Sequence, residues 1–245
     1  MVGRGAACMS KFALLTLGTE QYRIGSWRGQ RTTGYVAPLS PPDRLTRAGL
    51  DQVLRRLMRR GYRDVITAAL TEHEQSFFHG AGFTVHERLH LLQHDLHGIA
   101  SETTSRAGLR PARRWQHRAL LDVDAHAFDP FWKLNRANLL EAIHATPSTR
   151  VTGSFDPKLI GYAITGFAGE RGYLQRLAVE PEHQGRGHAT DLVKDALEWL
   201  VQRGASAASV NTQENNERAL ALYLHLGFTS VNPGLVVLRY QMVRQ

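Results

Sequence analysis

Between Leu177 and Ala189 the sequence reads Leu-Ala-Val-Glu-Pro-Glu-His-Gln-Gly-Arg-Gly-His-Ala. A β-type run passes there through a glycine-rich turn straight into a segment with an apolar stripe. Glycine has no Cβ, so successive backbone N–H groups around Gly185 and Gly187 can converge on an anion, and a helix that starts there adds about half a positive charge. The chemistry suited to such a turn is recognition of a diphosphate. Taken alone it is a weak signal, because it lacks both the Lys-Ser/Thr ending of a nucleoside-triphosphate loop and the three glycines of a dinucleotide fingerprint. Tyr223 stands on a helical stretch, where a phenol could supply a proton; its position alone favours a core tyrosine. His86, His90, His94 and His97 recur at four-residue spacing, which would suit a metal on a helix. That segment reads as strand, where residues four apart are separated by roughly 13 Å, too far for one ion with bonds of about 2.1 Å. No metal is expected.

The elements that must position these residues follow from periodicity. After Pro181, Ala189, Leu192, Val193, Ala196, Leu197, Leu200 and Val201 recur at three and four, which predicts an amphipathic helix stopped by Gly204. Ala207 to Thr212 reads as a buried strand, Asn215 or Asn216 caps a second helix carrying Ala219, Leu220, Leu222, Tyr223 and Leu226, and Gly227 ends it. Leu235 to Tyr240 supplies further strand. Upstream, β-like runs at Arg150 to Phe155, Leu159 to Phe167 and Tyr173 to Val179 are separated by Asp156-Pro157 and by Gly169 to Gly172, which predicts an antiparallel meander. Before it, a strand over Trp115 to Asp122 and helices over Asp124 to Leu134 and Ala137 to Ala145 are expected.

An earlier stretch repeats this order. Leu50 to Met58 is helical and ends at Gly61, Val65 to Leu70 is strand, Glu72 to His79 is helix, and Gly82-Phe83 turns into a strand over Thr84 to Leu92. Gly82-Phe83 lies on Gly227-Phe228 when the chain is shifted by about 145 residues, and Gly61 lies on Gly204 at nearly the same shift, which points to an internal repeat. The Ser/Thr/Gly/Arg-rich stretch from Gly98 to Arg114 is the linker candidate. It divides the chain into a lobe at 1–98, a linker at 99–112 and a lobe at 113–245.

At Gln184, Gly187 and Ala189 the turn resembles the GCN5-related N-acetyltransferase (GNAT) family, whose loop follows Gln/Arg-x-x-Gly-x-Gly/Ala. Asn216-Glu217-Arg218-Ala219-Leu220-Ala221-Leu222-Tyr223 followed by Gly227-Phe228 is similar to a second run of that family. The resemblance implies an α+β fold with a mixed, mostly antiparallel central sheet flanked by helices, in a tandem arrangement whose N-terminal lobe is incomplete. It implies acetyl-coenzyme A as co-substrate, with its diphosphate on Gln184, Gly185, Arg186, Gly187, His188 and Ala189, its pantetheine arm along Leu177, Ala178 and Val179, and Asn216 nearby. It also implies Tyr223 as the acid that returns a proton to the departing thiolate. In the first copy Tyr223 corresponds to Phe78 and Asn216 to Thr71, and Pro41-Pro42-Asp43-Arg44 stands where the glycine turn should be. The expectation is a degenerate copy that leaves cofactor binding to the second lobe.

The implied reaction moves an acetyl group to a primary amine of a small molecule or a protein; a non-catalytic acyl-coenzyme A sensor is the alternative. A lysine-like amine costs roughly 4.6 kcal/mol to deprotonate at pH 7, an α-amine about 1 kcal/mol. A base matters more for the first. Relatives often carry an acidic residue on the strand before the turn, but Gln175 and Arg176 stand there, and Glu141, Glu170 and His183 are the remaining base candidates. Phe128, Phe131 and Trp132 read as core.

Composition bounds the rest. The 245 residues carry 30 Lys+Arg against 22 Asp+Glu, a formal charge of +8. The only dense basic run, Arg55, Arg56, Arg59, Arg60 and Arg63, has the spacing of a solvated helix face, which argues against a nucleic-acid partner and its steep salt dependence. No apolar run reaches the ~18 residues of a membrane span, and Met1 to Leu17 does not read as a secretory signal. Cys8 is the only cysteine, so no intrachain disulfide forms. A cytoplasmic protein is expected, without a membrane partner and with a homodimer left open.

Overall fold

A computed structural model of the chain describes residues 12–100, 106 and 108–242. Cys8 and most of the segment read for a signal lie outside the described residues, as do 101–105 and 107 of the linker candidate. Strands β1 (Ala13–Leu17), β2 (Glu20–Ser26) and β3 (Thr33–Pro38) lead into helix α1 (Arg47–Arg59), strand β4 (Asp64–Leu70), helix α2 (Glu72–Gly80) and strand β5 (Thr84–His94). A short strand β6 (Leu109–Pro111) and helices α3 (His117–Ala127) and α4 (Arg136–Ile143) follow. Then come β7 (Ser148–Asp156), β8 (Lys158–Ala168), β9 (Arg171–Val179), α5 (His188–Gln202), β10 (Ala207–Gln213), α6 (Glu217–His225) and β11 (Thr229–Gln241). The fold class is α+β, with mostly antiparallel strands flanked by helices.

Most helix starts are set locally. Thr46 caps α1 by accepting from Gly49 N at 3.0 Å, Asn216 caps α6 by accepting from Ala219 N at 3.1 Å, and Thr71 N donates to Glu74 Oε2 at 2.7 Å in a capping box on α2. Thr71 and Asn216, which the internal shift superimposes, are thus both N-caps. The segment expected as a strand over Trp115 to Asp122 is instead a short 3-10 turn followed by α3. Leu120, Val123 and Asp124 are its buried side chains, a three-to-four spacing that a short window confuses with alternation. Helix α3 ends at Ala127 rather than running to Leu134, and Asp129 Oδ1 accepts from Phe131 N at 2.9 Å in the turn that follows.

By contact the chain forms two compact units. One contains the described residues up to Leu89 together with those from Pro233 onward; the other is His90–Asn232. The order β1-β2-β3-α1-β4-α2-β5 in the first part of the chain recurs as β7-β8-β9-α5-β10-α6-β11 in the second. The parallel pairing of the third strand with the fourth recurs as well, β3 with β4 and β9 with β10. Strands β1 to β3 supply the start of that repeat, which periodicity had not revealed. The last strands are crossed over: in the first unit β4 pairs with the end of β11, Val236 opposite Leu70, and in the second unit β10 neighbours β5.

The first unit's core gathers Tyr22, Ile24, Leu50, Leu57, Val65, Leu70 and Phe78 with Val236 and Leu238 from the C-terminal segment. In the second unit β8 alternates between two cores. Tyr162 and Ile164 join Leu120, Val123 and Leu139, while Ala163 joins Leu192, Val193, Leu200, Val210, Tyr223 and Phe228. Gly172 lets α5 lie against β9, since a Cβ there would collide with the Leu200 side chain. Removing the buried Leu200 side chain by substitution with Ala costs about 2 to 5 kcal/mol and would release the helix that presents the glycine turn.

Two irregularities open β9. Ile164 pairs with Arg176 but Thr165 pairs with Leu174, so Gln175 is the extra residue of a β-bulge. On its other side β9 pairs with β10 only from Arg171 to Tyr173. A bulge bends the strand and increases its twist, and beyond Tyr173 the two parallel strands part.

Candidate functional site

Strand β9, the turn after it, the end of α3 and the starts of α5 and α6 line an open cavity of about 470 Å³. Leu177, Ala178 and Val179 line it from β9, Gln184, Gly185, Gly187, His188 and Ala189 from the turn and helix start, and Asn216 from the cap of α6. Arg186 does not line it. The turn holds its shape through Gln184: its Nε2 donates to Val179 O at 3.0 Å, and its Oε1 accepts from Arg218 Nη1 at 2.7 Å. Gly185 and Gly187 have φ of 78° and 88°, the left-handed region that glycine tolerates, and a Cβ built on either would meet nothing within 4 Å. The space above the main chain is open, so the cradle fits a coenzyme A diphosphate, and the parted edge of β9 fits an extended arm pairing as a strand would.

Tyr223 does not reach the cavity wall; its neighbours Ala219 and Leu222 do. The phenol lies in the apolar cluster that also holds Val179 and packs against Leu177, with its ring 5.5 Å from Phe228. Burial pushes its pKa well above the usual range for tyrosine. It therefore stays protonated throughout the neutral range.

Of the base candidates, His183 lines the cavity. Glu170 lies in the exposed turn between β8 and β9, its carbonyl accepting from Ser206 N at 2.8 Å, and Glu141 lies on α4. Arg176 on β9 is committed to Asp124 of α3, Nε to Oδ2 at 2.7 Å and Nη2 to Oδ1 at 2.9 Å. Gln175 Oε1 is buried without a hydrogen-bond partner.

Several lining residues were not assigned to the site from the sequence: Ala127, Phe128, Thr190, Arg218, Ala219 and Leu222. Phe128 is held from behind by the Arg176 guanidinium, 3.4 Å from its ring centroid. Just outside the wall, His126 Nδ1 lies 3.0 Å from a Glu180 carboxylate oxygen. The helical spacing of Leu120, Val123 and Ala127 is the signal that could have placed α3 beside β9.

Among the four spaced histidines, His94 is buried on β5, its Nδ1 accepting from Leu96 N at 2.8 Å. Burial and the neighbouring Arg239 hold His86 below its ordinary pKa. Among the described residues no group of three or more His, Cys, Asp or Glu side chains could hold a metal ion. No described helix is long and apolar enough to cross a membrane.

Residues 112–228 match the Acetyltransferase (GNAT) family, so a little under half of the chain is similar to that family. The bulged and parted β9, the glycine turn and the helix behind it all lie within the matched segment. N-alpha-acetyltransferase 30 of Schizosaccharomyces pombe is 40% identical over 58 residues, which is 24% of this chain and 39% of that protein. An acetyltransferase of Yersinia pestis is 23% identical over 114 residues, 46% of this chain and 75% of that one. Among solved structures, a tandem GNAT protein from the clavulanic acid biosynthesis pathway aligns with a TM-score of 0.67 at 14% identity, covering 92% of this chain and 80% of its own. At that identity the likeness is one of fold.

Proposed function

We propose that this protein transfers an acetyl group from acetyl-coenzyme A to a primary amine of a small molecule or a protein. The observation that carries the reading is the open glycine cradle at Gly185 and Gly187, continuous with the unpaired edge of β9 in one cavity. The main-chain N–H groups from Gln184 to Ala189 bind the diphosphate, aided by the partial positive charge at the start of α5. The edge of Leu177 to Val179 orients the arm, and Asn216 also lines the cavity. The cofactor supplies the activated thioester. We assign to Tyr223 the return of a proton to the departing sulfur, a role supported by the phenol staying protonated throughout the neutral range and by its place in the cluster that holds Val179 of β9.

The first copy offers no second cofactor site on this reading. At the start of α1, the counterpart of α5, the chain's own Glu20 carboxylate accepts from Thr46 Oγ1 at 2.6 Å and from Thr46 N at 3.1 Å. A carboxylate occupies the place where a diphosphate would bind, and Gly49 leaves room for it: a Cβ there would collide with the Glu20 side chain. Titration calorimetry with coenzyme A tests this part, with one equivalent per chain expected and two refuting it. Thiol release from acetyl-coenzyme A over a panel of α-amines, lysine-like amines and polyamines tests the transfer. Binding without amine-dependent thiol release would leave a sensor rather than an enzyme.

A further inference from the structure

The main-chain cradle is bracketed by two histidines, His183 just before the glycines and His188 just after them, and both residues line the cavity. Their centroids are 6.3 Å apart. His183 Nδ1 is buried with no hydrogen-bond partner. A proton on that nitrogen would be an N–H removed from water with no acceptor, so the neutral ring carries its proton on Nε2. His188 reaches the same tautomer by another route. Its Nδ1 lies 3.3 Å from the hydroxyl of the buried Ser154, whose proton has no other acceptor among the described residues. Ser154 Oγ therefore donates to Nδ1, which leaves the proton of His188 on Nε2. Among the described residues neither Nε2 has a hydrogen-bond partner, so the polar group each ring has left to offer the cavity is an Nε2–H donor.

We propose that His183 and His188 donate these Nε2–H groups to the diphosphate of the bound cofactor, adding two side-chain contacts to the main-chain turn. The proposal rests on the cofactor reading above. An N–H donor facing a phosphate oxygen makes a charge-assisted hydrogen bond, roughly twice as strong as a neutral pair. Ser154 on β7 acts as a positioning residue, since it fixes the tautomer of His188. Both residues flank a turn that Gln184 already ties to Val179 and Arg218, so little ordering remains to be done when the ligand arrives.

The experiment is calorimetric titration of the full chain with coenzyme A, dephospho-coenzyme A and pantetheine. His183→Phe and His188→Phe keep ring volume and remove the donor; His183→Gln and His188→Gln keep an N–H near the position of Nε2. Unfolding midpoints without ligand identify the variants that remain folded. The expected result is that each Phe variant binds coenzyme A and dephospho-coenzyme A about tenfold more weakly, that the Gln variants recover most of the loss, and that pantetheine binds every variant as it binds the wild type. Wild-type affinity in both Phe variants would overturn the proposal, and so would an equal loss with pantetheine. A loss confined to coenzyme A would assign the contact to the 3′-phosphate and overturn the diphosphate assignment. A wild-type chain that binds none of the three ligands would refute the cofactor reading itself.

Discussion

Arg176 donates from Nε to Asp124 Oδ2 at 2.7 Å across the interface of β9 and α3, and the Asp124 carboxylate is wholly buried. The same carboxylate accepts from Tyr162 Oη at 2.7 Å and from Leu134 N at 2.6 Å. The cation that β9 carries here is already spent on holding Phe128 and α3. Asp124→Ala leaves the Arg176 charge and two further donors without their acceptor. It should lower the free energy of unfolding by about 3 to 5 kcal/mol, measured by urea denaturation. A loss below about 1 kcal/mol would mean the pair behaves like an exposed salt bridge.

Tyr223→Phe removes one hydroxyl and keeps the ring against Phe228. The expected outcome is a fall in turnover of about 10²- to 10⁴-fold, with the dissociation constant for coenzyme A almost unchanged. Unchanged thiol release in a continuous assay would remove Tyr223 from the mechanism. Because burial raises the pKa of the phenol, its ionisation should produce no loss of activity as pH rises from 7 to about 9.

Gly187→Ala places a Cβ on a residue at φ 88°. The space there is open, so the cost is one of backbone strain, about 1 to 2 kcal/mol. The strain should appear as weaker cofactor binding, because the turn relaxes toward a conformation in which its N–H groups diverge. Calorimetry on this variant beside Gly169→Ala, another glycine with positive φ but one on the turn between β8 and β9, separates a local effect on the cradle from a general loss of stability.

Glu20 gives the first unit a pH dependence. Burial alone would raise its pKa, but the hydrogen bonds from Thr46 and Tyr22 outweigh it and hold the carboxyl below its ordinary 4.5. In the unfolded chain Glu20 takes up its proton at higher pH than in the folded one. Its stabilising contribution is therefore complete above about pH 5 and is lost as pH falls through the folded value. The stability difference between wild type and Glu20→Gln, measured by denaturation from pH 6 to pH 3, should shrink toward the acid end. A constant difference would contradict the assignment.

What the sequence by itself determined is what acts over a few residues. The glycine turn, the caps at Thr71 and Asn216, the stripe of α5 and the punctuation between β7, β8 and β9 are all local, because capping, steric freedom at glycine and periodicity are settled within a turn or two of chain. Tertiary structure decided which distant partners meet. Asp124 finds Arg176 across 52 residues and Ser154 finds His188 across 34, and neither distance leaves a trace in local spacing. The exchange of β5 and β11 is of the same kind, since an alternating strand carries a buried face but no mark of which neighbour it will pair with. Tyr223 shows the limit most plainly: its place on α6 is legible from spacing, whereas its absence from the cavity wall depends on how α6 packs into the cluster that holds Val179 and Phe228, side chains that only the folded chain brings together.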